Sequence, residues 1–350
     1  GWERVLMFKP TADFEETATY RFNESHSIVE QEIAALQKDV GVMEVSGFNR
    51  YELKGEGVEE WLDHLACGGI PKKVGQVRLC YLLNHNGRML CEATLAKLGD
   101  NHFWYGSAAA AEWHDRDYLS ASMPATVSLT EMANSHTILG LAGPKSRDLL
   151  QSLSPRCVWS AQSFGWMQVR SMGSGNAQVR AMSVSFSGEL AYELHVPNEQ
   201  LYLVWKLLQS AGEAFNLSRF GLYATESMRL EKGYLHWKAD IIDEFNPMEA
   251  GLDRFVELNK SDFVGKQALI KAITKGCSKK LVTLEVVCET APAHGGDPVF
   301  YQGKQVGVVT SGGYGHRVDK NLAYAYVDAE LAQTGQLFTV RIIGIYRDAQ

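Results

Sequence analysis

The chain has 350 residues, of which 45% are apolar and 21% are charged, a composition typical of folded globular proteins and unlike disordered or collagen-like chains. Its length predicts two or three domains. Lys and Arg number 34 against 41 Asp and Glu, a net charge of −7, which gives no broad electrostatic case for binding nucleic acid or an acidic membrane surface. No run of about 18 apolar residues predicts a membrane span.

The first residue is Gly1, and the segment that follows lacks the basic, apolar and small-residue order of a signal peptide. We therefore expect a processed end or a boundary within a longer chain. Six scattered cysteines form no C-x-x-C pair and no zinc-type spacing, so no metal site is predicted. They predict buried thiols in a reducing compartment, the cytoplasm or, in a eukaryote, the mitochondrial matrix.

Hydrophobic periodicity and turn residues predict the elements of the first 275 residues. Residues 1–22 show no periodicity and predict an ordered arm. A capping box that starts at Ser27 begins the first helix. The predicted helices cover residues 27–38, 58–65, 144–153, 198–214, 221–232 and 262–273. The predicted strands cover residues 50–54, 77–83, 92–98, 102–105, 136–142, 178–186 and 192–196.

The pattern changes after Gly276. From Lys279 onward nearly every segment alternates as a strand does, and Gly, Asp and Pro turns separate the segments. The predicted strands cover residues 281–288, 305–311, 322–328 and 337–343. Regularly spaced strands predict a small antiparallel barrel or sandwich. We therefore predict an α+β protein with α+β domains over residues 1–275 and a β domain over residues 279–350.

Common cofactor motifs are absent from the sequence. It has no Walker-type phosphate loop, no strand followed by G-x-G-x-x-G, no H-E-x-x-H and no G-x-S-x-G. The chain thus shows no ATP, nicotinamide or flavin fingerprint of its own.

Two clusters carry carboxylates in or beside predicted strands. Glu92 enters a mostly apolar strand, where a desolvated carboxyl has a raised pKa that suits a general base; the alternative is a strand-end Glu facing solvent. Glu189 and Glu193 bracket a tight turn. An ionised Glu accepts two hydrogen bonds side by side, which matches the adjacent N–H groups of an aminopyrimidinone ring. The alternative is a hairpin with exposed acids.

Two further clusters contain an arginine on a helix and a glycine-rich loop. Arg229 has Glu226 three residues earlier, so either an intrahelical ion pair forms or Arg229 turns towards a ligand carboxylate or an acidic side chain. Around Tyr314, glycines would let the loop approach another surface closely. A plain β-turn explains the same residues.

Six stretches, taken together and in order, resemble the folate-dependent aminomethyltransferase family, which includes the glycine-cleavage T-protein and the C-terminal halves of dimethylglycine and sarcosine dehydrogenases. The stretches start at Leu141-Ala142-Gly143-Pro144, Gly188-Glu189-Leu190-Ala191-Tyr192-Glu193-Leu194, Arg229-Leu230-Glu231-Lys232-Gly233-Tyr234, Asn246-Pro247-Met248-Glu249-Ala250-Gly251-Leu252, Asp262-Phe263-Val264-Gly265-Lys266 and Ser311-Gly312-Gly313-Tyr314-Gly315. The segment Gly1-Trp2-Glu3-Arg4 also resembles the passage from the oxidase half to the folate half in flavin-bearing members. That favours the dehydrogenase branch.

The resemblance implies a three-lobed ring with a C-terminal antiparallel β-barrel lobe and a central channel for tetrahydrofolate. It implies transfer of a methylene from an N-methyl amine, as an iminium or formaldehyde equivalent, to give 5,10-methylenetetrahydrofolate. The implied partners are a small methylated amine or its iminium or formaldehyde product, and a flavin oxidoreductase domain or subunit that lies outside this sequence. Neither a nucleic acid nor a membrane is implied.

The resemblance also assigns roles to single residues. Glu193 matches the acid that holds the pterin ring, with Tyr192 packed beside it. Arg229, Phe186 and Tyr314 match positions near the channel, and Phe186 stands where relatives often have Tyr.

Glu92 matches the catalytic carboxylate that assists the folate nitrogen. Close relatives have Asp there, so the carboxylate at Glu92 reaches about one bond length further, and productive geometry tolerates only about 0.5 Å. Glu92 could act as a repositioned base, serve a different one-carbon donor, or mark weakened catalysis.

Two alternatives follow from the same motifs. One is a folate-dependent demethylase that takes a methyl group from a sulfonium, aryl ether or N-oxide donor. The other is a folate-binding module without catalysis of its own.

Overall fold

The structure is a computed structural model that describes residues 3–350. The expectations for Gly1 and Trp2 lie outside the described residues. The helices are α1 (Ser25–Lys38), α2 (Val58–Leu65), α3 (Glu112–Ser122), α4 (Ser146–Leu153), α5 (Leu201–Gly212), α6 (Leu222–Glu231) and α7 (Lys266–Lys275).

The strands are β1 (Val40–Glu44), β2 (Phe48–Gly55), β3 (Val77–Leu83), β4 (Met89–Gly99), β5 (His102–Ala108), β6 (Val127–Glu131), β7 (His136–Ala142), β8 (Val169–Ser174), β9 (Ala177–Met182), β10 (Ala191–Pro197), β11 (Leu217–Arg219), β12 (Lys279–Glu285), β13 (Pro298–Tyr301), β14 (Lys304–Gly315), β15 (Lys320–Asp328), β16 (Phe338–Ile342) and β17 (Ile345–Ala349).

These strands form three sheets. The N-terminal sheet has the order β3-β4-β5-β2-β6, the middle sheet β11-β1-β7-β10-β9-β8, and the C-terminal sheet β12-β15-β14-β13-β16-β17. Neighbouring strands are antiparallel except for β1 and β11, which are parallel. The predicted α+β class with a C-terminal antiparallel domain is confirmed.

Each sheet packs one of its two faces against a hydrophobic core of its own. In the N-terminal sheet that face packs on α2, and in the middle sheet it packs on α4 and α5. A smaller cluster joins the two opposite faces, with Val77, Ala96 and Trp104 from the N-terminal sheet against Val169 and Met182 from the middle sheet. The first two sheets therefore face one another across this cluster, and we call these two surfaces the inward faces.

The C-terminal sheet does not close into the predicted barrel. Its edge strands are β12 and β17, and the two edges meet only at one end, through a bridge between Val286 and Ala349 and backbone hydrogen bonds between Glu285 and Gln350. Because β17 has five residues and contacts only the last part of β12, the remaining edges stay unpaired with each other.

The arm before α1 has no regular structure over residues 3–22, as predicted. It is tied to α6, which has no side-chain cap at its first turn. The backbone N–H groups of Leu222 and Tyr223 donate to the carbonyls of Val5 and Leu6. Glu32 on α1 accepts one backbone N–H from the arm and one from Gly221.

Some element predictions were wrong. The first helix begins at Ser25 rather than Ser27, and the Asn23 side chain accepts the Ser25 N–H. The strand predicted over 178–186 ends at Met182, and a loop follows. The sequence pattern missed α3 and six strands altogether: β1, β6, β8, β11, β13 and β17. The six cysteines are free thiols; four of them are buried, whereas Cys157 and Cys277 are half-buried.

No helix among residues 3–350 is both long and apolar enough to cross a membrane.

The turn between β3 and β4 requires glycine at position 87 for two reasons: a positive φ and the close approach of α7. Replacing it should therefore cost more stability than replacing a glycine that only has a positive φ. Gly87 has φ +73°, and a Cβ there would lie 2.6 Å from the Leu269 backbone nitrogen of α7. Gly303, in the turn between β13 and β14, has φ +81° with nothing within 4 Å. We expect Gly303→Ala to lower the free energy of unfolding by about 1 kcal/mol and Gly87→Ala by about 2–3 kcal/mol.

Urea unfolding of both variants measures this difference. Equal losses would show that the close approach of α7 contributes nothing.

Candidate active site between the first two sheets

Glu92 and Glu193 lie on the two inward faces. On β4, Glu92 alternates with Cys91 and Ala93, which belong to the N-terminal core, so its side chain points to the opposite side, as Ala96 does. On β10, Glu193 lies between two residues of the middle core and pairs with Met182 across the sheet. The fold thus places the two predicted carboxylates on surfaces that pack against each other.

Glu92 is held by a tyrosine on the neighbouring strand. The Tyr81 hydroxyl donates a 2.7 Å hydrogen bond to Glu92 Oε2, and the two residues pair directly between β3 and β4. Burial raises the pKa of Glu92 to about 7, although the Tyr81 hydrogen bond opposes the shift. A carboxyl with this pKa exchanges its proton near neutral pH, as a general base must.

Glu193 is held by His195 on the same strand. His195 Nε2 lies 3.1 Å from Glu193 Oε2, and the Glu193 side chain keeps 29% of its surface exposed. Burial lowers the pKa of His195. The hydrogen bond and charge of Glu193 oppose this shift, and the charges of Arg50 and Arg180 add to it. A neutral imidazole therefore donates to one carboxylate oxygen, and the carboxylate can accept further N–H groups from a ligand.

Tyr192 does not pack beside the Glu193 carboxylate, which corrects the prediction for this residue. Successive residues of a strand point to opposite faces, and Tyr192 points into the middle core with 1% of its surface exposed. Its hydroxyl accepts a 2.9 Å hydrogen bond from Arg147 Nε, and its ring stacks on Phe164. These contacts do not support a place for Tyr192 in the ligand site.

Arg229 is buried in contacts with protein groups. Its guanidinium donates to Glu226 at 2.9 Å, to Asp240 at 2.8 Å and to Ser311 at 3.0 Å. The intrahelical pair and the contact with an acidic side chain that the sequence left as alternatives therefore both form. The position holds α6 to the C-terminal sheet, and these contacts do not support direct binding of a ligand.

The rings of Phe186 and Tyr314 pack on other aromatic side chains. Phe186 lies in the loop after β9, where it is partly exposed and its ring stacks on Tyr234. Tyr314 lies in β14 rather than in a plain turn, and its ring packs on Phe22 and His26 near the start of α1. The Tyr314 hydroxyl donates to Asp319.

Three residues of this region escaped the sequence analysis: Tyr81, His195 and Arg50. The alternation of β10 could have placed His195 on the face of Glu193, two residues away. Arg50 is 3% exposed on the inward face of β2, and its Nη2 donates to the backbone carbonyls of Ala133 and His136. Within the part of the chain that the structure describes, no group of three His, Cys, Asp or Glu is placed to hold a metal ion.

Comparisons with known proteins agree with this architecture. Residues 1–260 match the family model described as the GCVT N-terminal domain, and residues 279–350 match the glycine cleavage T-protein C-terminal barrel domain. The chain is similar in structure to the glycine cleavage system aminomethyltransferase T from Bartonella henselae, with a TM-score of 0.83 and 22% identity over 96% of this chain and 92% of that one. At that identity the likeness concerns the fold.

Two kinds of relatives are similar in sequence. Mitochondrial dimethylglycine dehydrogenase of Mus musculus is 33% identical over 98% of this chain but over only 40% of its own length. An aminomethyltransferase of Halothermothrix orenii is 28% identical over 90% of this chain and 87% of its own length. The chain thus spans about two fifths of the dehydrogenases it matches.

The raised pKa of Glu92 predicts a pH-dependent gain in stability on substitution. The folded state holds the Glu92 proton up to about pH 7, whereas the unfolded state releases it near the ordinary glutamate pKa of 4.5. Ionised Glu92 therefore costs stability progressively as pH rises between these values. We expect Glu92→Gln to be nearly neutral at pH 4.5 and to raise the free energy of unfolding by about 3 kcal/mol at most at pH 8.

Urea unfolding at both pH values measures this effect, with Glu60→Gln as the matched control because Glu60 is exposed on α2. A Glu92→Gln effect that is the same at the two pH values would contradict the burial of an ionisable carboxyl.

Proposed function

Because the chain belongs to the glycine cleavage T-protein family, we propose that it is a tetrahydrofolate-dependent one-carbon transferase. It takes a methylene, as an iminium or formaldehyde equivalent, from an N-methyl amine and yields 5,10-methylenetetrahydrofolate. The observation that carries the proposal is the Glu92 carboxyl, held by Tyr81 on an inward face with its pKa raised to about 7.

The residues on the inward faces fit tetrahydrofolate. Glu193 has a partly exposed carboxylate with only one oxygen bonded to His195, so it can accept the adjacent N–H groups of the pterin ring. Bound tetrahydrofolate supplies the N5 and N10 nitrogens that accept the one-carbon unit. Glu92 takes up the proton that a nitrogen releases when its bond to carbon forms, and Tyr81 keeps the carboxylate oriented.

We propose that the one-carbon donor is a small methylated amine oxidised by a flavin site outside this chain. The support is the similarity to dimethylglycine dehydrogenases, of which the chain spans 40%, together with the lack of a flavin motif in the sequence. The proposed division into units 1–275 and 279–350 is supported by the two family matches, which leave residues 261–278 between them.

Two other functions use the same inward faces. A demethylase acting on a sulfonium, aryl ether or N-oxide donor would give a methylated folate, and mass spectrometry of the folate product separates it from the proposed enzyme. A non-catalytic module would bind tetrahydrofolate through Glu193 and show no rate that depends on Glu92. The pKa of Glu92 near 7 favours catalysis over this last function.

The proposal predicts that activity depends on the Glu92 carboxylate. With tetrahydrofolate and formaldehyde as substrates, we expect Glu92→Gln to lower the enzymatic rate of methylenetetrahydrofolate formation by about 100-fold or more, since a positioned base contributes about that much. Glu92→Asp keeps the carboxylate and should retain more activity than Glu92→Gln. Glu60→Gln should match the wild type.

The rate is measured above the spontaneous background. A wild-type rate equal to that background, or a Glu92→Gln rate equal to wild type, would contradict the proposal.

The proposal also predicts a pH dependence. Because Glu92 must be ionised to accept a proton and its pKa is about 7, kcat/KM for tetrahydrofolate should rise with pH and be half-maximal near pH 7. The residual activity of Glu92→Gln should lack this rise. Steady-state rates between about pH 5.5 and 8.5 test it. A wild-type profile that is flat, or that falls, over this range would show that ionised Glu92 is not the base.

A further inference from the structure

Arg50 is a buried cation, and part of its guanidinium has no hydrogen-bond partner among the described residues. It is 3% exposed, and only its Nη2 bonds to protein, at 3.2 Å to the Ala133 carbonyl and 2.6 Å to the His136 carbonyl. Its Nε and Nη1 have no hydrogen-bond partner among residues 3–350. Arginine is almost never buried unless it is paired, because an uncompensated buried charge is costly.

Glu193 is the carboxylate that acts most strongly on this guanidinium. Burial lowers the pKa of Arg50, and the charges of Glu193 and then Glu44 raise it. Yet among the described residues no carboxylate oxygen lies within 4.0 Å of an Arg50 nitrogen, so Arg50 forms no ion pair there. The two opposite charges thus lie near each other on the two inward faces without direct contact.

The strand next to Arg50 leaves space beside it. Arg50 pairs with Gly106 on β5, and Gly106 pairs with Thr94 on β4. A Cβ at Gly106 would meet no atom nearer than 3.7 Å, so no side chain stands between Arg50 and Thr94 in this row. Glu92 follows on the same face two residues from Thr94. Strand spacing and rise place its Cα about 12 Å from that of Arg50.

The chemistry of a pterin matches these three groups. One edge of its aminopyrimidinone ring presents the 2-amino and N3–H donors and then the C4 carbonyl oxygen. A carboxylate accepts from the donors, and a cation with free N–H groups donates to the carbonyl. The C4 carbonyl is also next to N5 on the fused ring, so a group that binds the carbonyl lies on the side where Glu92 acts.

We infer that Arg50 is a specificity-determining residue that donates a hydrogen bond to the C4 carbonyl of the pterin whose N–H groups Glu193 accepts. This inference rests on the proposed function. It makes the chain selective for 4-oxo pterins, since a 4-amino pterin presents N–H donors where Arg50 also presents donors. A site built to bond one polar group rejects an analogue that lacks it, because its own buried groups stay unpaired.

Titration calorimetry with two probes tests the inference: tetrahydrofolate and its 4-amino counterpart, tetrahydroaminopterin. We expect the wild type to bind tetrahydrofolate at least about 10-fold more tightly. Arg50→Met should weaken tetrahydrofolate but not the 4-amino probe, so that the two affinities agree within about threefold. Arg50→Lys, which keeps a charged donor, should restore part of the difference. Arg341→Met is the control, because Arg341 is exposed on β16 of the C-terminal sheet, and it should keep the wild-type preference.

The outcomes separate the inference from the proposed function. If the wild type binds neither probe, the proposed function fails. If tetrahydrofolate binds but Arg50→Met weakens both probes equally, Arg50 only supports the fold or the charge of Glu193, and the inference is overturned. If Arg50→Met leaves both affinities unchanged, buried solvent satisfies the guanidinium and the inference is again overturned. In both latter cases the proposed function stands.

Discussion

The buried pair of Arg229 and Asp240 connects the two parts of the chain. Asp240 is fully buried, and besides Arg229 it binds the hydroxyl of Thr310, while its backbone carbonyl accepts from Tyr326. Arg229 also donates to Ser311. One charged contact therefore joins α6, the segment after it and two strands of the C-terminal sheet. Removing one partner of such a pair leaves an unpaired buried charge, which costs about 3–5 kcal/mol, so the placement of the C-terminal sheet depends on it.

The inward faces obey a different constraint, the alternation of side chains along a strand. Each of the two sheets uses one face for its own core, and the carboxylates can occupy only the other face. On the N-terminal sheet, the middle sheet buries that face around Trp104, whereas around Tyr81 it is buried by residues of segment 241–269 and by Tyr326 of the C-terminal sheet. A carboxyl on this face therefore loses water. This position accounts for the raised pKa of Glu92, and for a glutamate at residue 193 that a neutral histidine can hold while one oxygen remains available.

The alternation also explains what the sequence could reveal. Glu193 lies between apolar neighbours, so its face was predictable, and the same rule excludes Tyr192, which the resemblance alone had placed beside it. Arg50 was not predictable, because Arg50, Glu52 and Lys54 alternate as a solvent-facing side would. Its recorded partners, the carbonyls of Ala133 and His136, lie 83 and 86 residues further along the chain. Two partners of Arg229, Asp240 and Ser311, lie 11 and 82 residues away, and the incomplete closure of the C-terminal sheet depends on how two strand ends distant in sequence meet. Neither leaves a local signal.

The arm supplies hydrogen-bond acceptors for the first turn of helix α6, which has no side-chain cap of its own. The first N–H groups of a helix have no partner within it, and here the carbonyls of Val5 and Leu6 accept them from more than two hundred residues away in the sequence. The arm therefore stabilises the first turn of α6. Since α6 also carries Arg229 in its last turn, one short helix binds the arm at its start and the C-terminal sheet at its end.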